Sequence, residues 1–223
     1  MMNLFSIFDP SISNNFSLNW FSSLYVLLLI PNFYWFIPSR YLYLMIIISK
    51  TLILEFIMLL NLKLNIYNII MLISLFFYIL LNNFMGMFPY IFTSSSHLVF
   101  SLTISLTLWI SMMLFGWIKN SNNMFIHLVP QGTPNLLMPF MVLIESISNI
   151  IRPGTLAVRL SANMIAGHLL MTLISSTGNS LMFFFLIFML LSQSLLIVLE
   201  LSVSIIQAYV FTVLSTLYSS ESN

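Results

Sequence analysis

In the last third of the sequence, ionisable side chains stand inside runs that are otherwise apolar. They are Glu145, Arg152, Arg159, His168 and Glu200, with Gln193 and Gln207 among them and Glu221 near the end. A charge at the centre of a lipid-embedded helix costs about 2.5–3.5 kcal/mol, so each needs a reason. Glu and His exchange protons at accessible pH, and amides and water connect one to the next. Arginine differs: its guanidinium keeps its proton at any useful pH, yet it attracts a carboxylate and favours the charged form. Glu145, Arg152 and Arg159 are seven apart, close to two helical turns, so they share a face, with Asn149 and Asn163 beside it. Gln193, Glu200 and Gln207 repeat that spacing. Two polar stripes inside apolar segments read as a pathway rather than as packing.

Pairing the stripes as an antiparallel hairpin sharpens this. Facing residues then have numbers with a constant sum: 366 for Glu145 with Glu221 and for Arg159 with Gln207, and 368 for His168 with Glu200. One register thus sets an acid pair at one end, Arg159 with Gln207 in the middle, and a His/Glu pair at the other end. Arg159 would separate two proton-exchanging ends and block a direct leak. No second acid in the sequence is placed to meet it. The device makes sense only if a carboxylate from another, moving chain visits Arg159.

The elements that must hold these residues belong in a membrane. The 223 residues are 60% hydrophobic and 5% charged, with a mean hydropathy of +1.06; a soluble surface needs roughly 25% charged residues. Net charge is +1, which leaves no basic patch for nucleic acid. The absence of cysteine excludes disulfides, thiolate metal sites and cysteine nucleophiles. His97, His127 and His168 are too far apart for a local metal motif, so no metal or other cofactor is expected. No glycine-rich phosphate loop is present, so the chain is not expected to bind nucleotide or to be an enzyme on its own. No signal or transit peptide is recognisable at the N-terminus. The 21 Phe and 16 Met resemble the product of an AT-rich mitochondrial genome.

The fold class expected is all-α: a polytopic membrane protein of about five crossing helices plus one interfacial helix, ending in a long tilted helical hairpin. Crossing segments are expected at about 18–37, 66–88, 98–118, 136–175 and 181–218, each near or above the ~20 apolar residues a bilayer needs. Pro31 should kink or end the first. The block 41–62, bordered or interrupted by Arg40, Lys50, Glu55 and Lys63, is expected to lie at the interface, with a buried span as the alternative. If so, Arg40, Lys50, Lys63 and Lys119 all fall on one side, which marks it as the inner side. The polar stretch ending Pro130-Gln131-Gly132-Thr133-Pro134 divides a single membrane domain into scaffold helices (1–134) and a working hairpin (135–223). The last two segments exceed a perpendicular crossing, so they tilt or break, with Pro153-Gly154 as a kink point and Ser175–Asn179 as the turn.

Several of these side chains have plainer readings. Arg152 reads as an anchor beside Pro153, His97 and His127 as loop histidines, Lys50 and Glu55 as interface anchors, and Phe183–Phe185 as lipid-facing bulk. Gly154, Ala157, Ser161, Ala162, Ala166 and Gly167 allow close helix approach. A transporter would show two related halves, and none is visible. A redox subunit would need cofactor ligands, a passive anchor has no use for an arginine between acids, and a solitary channel needs no central barrier.

The run Ile151-Arg152-Pro153-Gly154-Thr155-Leu156-Ala157-Val158-Arg159-Leu160-Ser161-Ala162-Asn163-Met164-Ile165-Ala166-Gly167-His168 resembles the signature of subunit a of F-type ATP synthases. Glu200-Leu201 with Ile206-Gln207-Ala208-Tyr209-Val210-Phe211 resembles its last helix. Asn83–Tyr90 and His127–Pro134 are similar to its upstream motifs, in an animal mitochondrial, insect-like form. The resemblance implies that Arg159 is the essential arginine facing the c-ring carboxylate. It implies that His168 and Glu200 form the half-channel open to the intermembrane space. Glu145, with Glu221 at its end, would form the matrix half-channel, and Gln207 would be the polar neighbour of the arginine. It further implies a multi-pass protein of the mitochondrial inner membrane, with the c-ring and other membrane and stator subunits as partners; the charge rule then turns the N-terminus toward the intermembrane space and the C-terminus toward the matrix.

Overall fold

A computed structural model describes residues 4–11, 16–32, 34, 36–60, 66–129, 134, 137–178 and 182–221, with backbone alone at a few of these. Lys63, residues 130–133 of the polar stretch and Asn179 of the turn lie outside them. Seven α-helices are described: α1 (Ser22–Leu28), α2 (Arg40–Leu59), α3 (Ile66–Gly86), α4 (Leu98–Lys119), α5 (Ser121–Leu128), α6 (Met138–Thr177) and α7 (Phe183–Glu221). Five of them, α2, α3, α4, α6 and α7, are long and apolar enough to cross a bilayer.

The number of spans matches the sequence expectation, but their identity differs at the N-terminal end. The segment expected to span 18–37 is a 3-10 turn, Leu18–Phe21, followed by the seven-residue α1. Pro31 supplies the reason: it has no N–H and its ring disfavours helical backbone at Ile30, so the helix closes at Leu28. The block 41–62 is an uninterrupted 20-residue helix, α2, which has the length and apolar character of a span and is capped by the Ser39 hydroxyl accepting from the Leu42 N–H at 3.4 Å. Its Glu55 carboxylate accepts a 3.0 Å hydrogen bond from the Tyr209 hydroxyl on α7, which ties α2 to the hairpin.

Helix α3 is the spine. It packs along α7 and against α1 and α2, while α4 packs along α6. Leu72, Phe76 and Ile79 of α3 join Leu52 and Phe56 of α2, Leu108 of α4, Leu156 and Leu160 of α6, and Ala208 and Phe211 of α7 in one buried cluster. The buried side of α7 also carries Ser204, Thr212, Ser215, Thr216 and Ser219. Such small residues let helices approach closely where lipid gives no hydrophobic drive. Their hydroxyls donate to carbonyls three or four residues back, as Thr212 does to Ala208 and Ser215 to Thr212, so none is left unsatisfied in an apolar setting.

Helix α6 runs 40 residues through Pro153 without interruption, and α7 runs 39. At ~1.5 Å per residue each is close to twice the ~30 Å hydrocarbon thickness, so the hairpin is tilted or curved within a bilayer.

Candidate functional site

Helices α6 and α7 run antiparallel, and contacts near both ends set their register. Near the turn, His168 Nε2 lies 4.0 Å from Glu200 Oε1. A Cβ added at Gly167 would collide with the same carboxylate. At the far end the Arg152 guanidinium sits 5.3 Å from the centre of the Tyr218 ring. Interpolating between these points brings Arg159 level with the turn of α7 that follows Gln207.

Toward the turn one acid is enclosed although most of its neighbours are exposed. Glu200 is 5% exposed. Among the described residues neither its two carboxylate oxygens nor His168 Nε2 has a hydrogen-bond partner. At 4.0 Å the pair is beyond hydrogen-bond length. Buried polar groups in this state are exceptional and call for an explanation of their own. The Phe8 ring lies edge-on to His168 with centroids 6.5 Å apart, which brings the N-terminal 3-10 turn Leu4–Phe8 onto this end of the hairpin. The neighbouring Asp9 accepts hydrogen bonds from the Ser11 N–H at 3.1 Å and hydroxyl at 2.8 Å. These bonds, the backbone one foremost, hold its carboxyl below the ordinary carboxylate range.

In the middle, Arg159 is exposed on a face of α6 that the described residues leave uncovered. Ala157, Leu160 and Ser161 are buried against the rest of the chain, whereas Val158, Ala162 and Ala166 share the open face. Among the described residues no carboxylate comes within ion-pair reach of Arg159. Gln207 and Gln193 are half-buried on α7, on either side of the buried Glu200.

At the far end Glu145 Oε1 lies 3.6 Å from Arg152. Both line a cavity of about 470 Å3 with Asn149 and Tyr218. Glu221 is the last residue of α7; its side chain, like that of His127, is outside the description. The structure thus brings together His168 with Glu200, and Glu145 with Arg152, and leaves Arg159 facing outward. Among the described residues no group of three or more His, Asp or Glu side chains is placed to hold a metal ion.

Sequence reasoning missed Phe8, Tyr218 and the link between Tyr209 and Glu55. Each rests on an aromatic side chain, and 21 Phe and nine Tyr in one chain give no signal to choose among them. His97, read as a loop residue, sits at the start of α4 with its ring 5.2 Å from Trp20 and 5.1 Å from Phe92, a packing role.

Comparison with known proteins converges on one family. The family described as ATP synthase A chain matches residues 20–220. The ATP synthase subunit a of Drosophila melanogaster is 59% identical over 223 residues, covering 100% of each chain. That of Locusta migratoria is 58% identical over 222 residues, 99% of each chain, and that of Aedes aegypti is 57% identical over 225 residues, 100% of each. With the family match running from Trp20 to the end of α7, and relatives alike over their whole length, the chain belongs to the ATP synthase A chain family, as a membrane subunit of that complex.

Proposed function

We propose that this chain provides two offset proton half-channels against a rotating ring of carboxylate-bearing subunits, the c-ring, and that Arg159 keeps the two apart. His168 and Glu200 form the outer half-channel, on the intermembrane-space side of the mitochondrial inner membrane. Glu145, with Glu221 beyond it, forms the inner half-channel on the matrix side, and Gln207 is the polar neighbour of Arg159. The N-terminus faces outward and the C-terminus faces the matrix. A proton entering the outer path loads a ring carboxylate, rides around, and leaves by the inner path; the ring turns, and the attached catalytic subunits make ATP. This chain binds no nucleotide and no cofactor. Its scaffold, residues 1–134, holds the working hairpin, residues 135–223, against the ring, and its other partners are membrane and stator subunits of the complex.

The observation that supports this most is the outward-facing Arg159 set between two proton-exchanging ends of one hairpin. A guanidinium exposed on a lipid-embedded face is costly unless a counter-charge visits it. Small Ala162 and Ala166 on the same face let a neighbouring helix approach. The test is proximity. The chain contains no cysteine, so Ala162→Cys introduces a unique thiol into it. Under mild oxidant it should form a disulfide with a cysteine placed next to the ring carboxylate. Absence of that product, with a cysteine at the distant Leu54 cross-linking instead, would put the ring elsewhere and reject the reading.

Gly167 gives a second expectation. A methyl group there collides with the Glu200 carboxylate, and overpacking a tight site costs about 1–3 kcal/mol. Gly167→Ala should therefore lower proton-driven ATP synthesis about tenfold in complexes that still assemble, through a displaced Glu200. Synthesis at the unmodified rate would show that the position of Glu200 is not critical.

A further inference from the structure

Sequence alone reads Lys50 as an interface anchor, but its place in α2 keeps it from either surface. It stands ten residues after Arg40 and nine before Leu59, the two ends of the helix. At ~1.5 Å per residue that is about 15 Å from each end. In a helix with the length and apolar character of a span, this is near mid-depth of a ~30 Å hydrocarbon layer. A four-carbon stem does not cover that distance to water. The rotation of α2 is fixed as well. Leu42, Leu52 and Phe56 are buried, and the Glu55 carboxylate is held by the Tyr209 hydroxyl at 3.0 Å. Tyr43, Ile47, Lys50, Leu54 and Met58 are left exposed together along the side opposite the buried residues. Among the described residues no carboxylate lies within ion-pair reach of Lys50.

We infer that this stripe is the seam for a membrane helix of another, non-ring subunit of the complex, and that this helix sets an Asp or Glu carboxylate against Lys50. The stripe advances in steps of four, three, four and four residues, the spacing that keeps one line of side chains facing a neighbouring helix. Its apolar members offer such a neighbour contact area, but they fit lipid tails as well. Lys50 breaks the tie. An ammonium near the middle of a span is costly, and charges held within a membrane pair with one another. Lipid tails carry no counter-charge, and headgroup phosphates stay at the ends of the helix. The covering group is therefore protein, and the atom facing Lys50 is acidic. The ring does not fit the role. Arg159 turns it to the open face of α6, whereas α2 packs on α3 and α7, and a standing ion pair at Lys50 would hold a turning ring still. The seam requires membership of a multi-subunit membrane complex and does not depend on the half-channels.

The experiment treats purified complete complexes in lipid vesicles with a lipid-soluble carbodiimide. The reagent joins an amine to a carboxylate in contact with it as an amide and takes up the water released. Peptide mass spectrometry should find Lys50 joined to an acidic residue within a membrane span of a non-ring subunit. Lys50→Arg, which keeps the charge but offers no amine to couple, should abolish that product and leave assembly unchanged. Lys50→Glu sets two acids face to face and should reduce the bound partner subunit about tenfold on native gels; changing the partner's acid to lysine should restore it. Retention of every subunit by Lys50→Glu at the wild-type level overturns the seam. So does an amide from Lys50 to the ring carboxylate or to Glu55 of its own helix, or no amide at all. Fast modification of Lys50 by a membrane-impermeant amine reagent overturns it too, since the side chain then stands in water at the membrane surface. Should Lys50→Glu not fold, the cross-link on the unaltered chain decides alone.

Discussion

Complexes carrying Glu200→Gln should lose proton-driven ATP synthesis by about 100-fold or more, the scale on which a positioned proton-transfer group contributes. Glutamine is nearly the same shape, so packing against Gly167 and His168 is kept and assembly should survive. What is lost is the ability to accept and release a proton. Among the described residues His168 is the neighbouring proton carrier at this end, and at 4.0 Å it is too far to substitute without rearrangement. His168→Gln should cost less, since Glu200 keeps its own route. Exchanging the two, with His168→Glu and Glu200→His together, should recover a measurable share of the rate, because both orders supply one acid and one imidazole in the same pocket. Parallel measurements of synthesis and of assembled complex separate chemistry from folding. A rate for Glu200→Gln within a factor of two of wild type would remove Glu200 from the pathway.

Arg159→Ala carries the other large effect. A ring carboxylate that has lost its proton must pass from one half-channel to the other through a low-dielectric zone. Leaving a buried charge without its partner costs about 3–5 kcal/mol, which as a barrier is a slowing of about 100-fold or more. ATP synthesis should therefore stop while the complex still assembles, since Arg159 contributes no buried packing and no ion pair within the described part of this chain. Arg159→Lys should recover little: a compact ammonium on a flexible stem replaces a planar fork that meets a carboxylate with two bonds.

The hairpin was readable because lipid makes each charge conspicuous. Glu145, Arg159, His168 and Glu200 announce themselves against apolar neighbours, and residue type together with an approximate antiparallel register set His168 near Glu200, 4.0 Å away in the structure. The N-terminal end was harder. Hydropathy over 18–37 is that of a span, but one imino acid, Pro31, ends α1 after seven residues. The charges of 40–63 left an interfacial helix and a buried span both open, and the partner of one of them was out of view: Glu55 is engaged by Tyr209, 154 positions away. Arg152 reads as an anchor beside Pro153, and the spacing of seven puts Glu145 on its face, but the ring of Tyr218 against it does not follow from local sequence. Long-range contacts made by common residue types leave no periodic signal.

The central claim is that Arg159 separates two proton paths, and passive proton permeability tests it most directly. Vesicles containing wild-type or Arg159→Ala complexes would be given an inside-negative potential without nucleotide, and proton influx followed with an internal pH dye. The account predicts a tight wild type and a leaking variant that synthesises no ATP, because protons can then cross at the middle of the hairpin without turning the ring. A variant that is as tight as wild type and synthesises ATP at a comparable rate would contradict it, and would leave Arg159 as a structural residue.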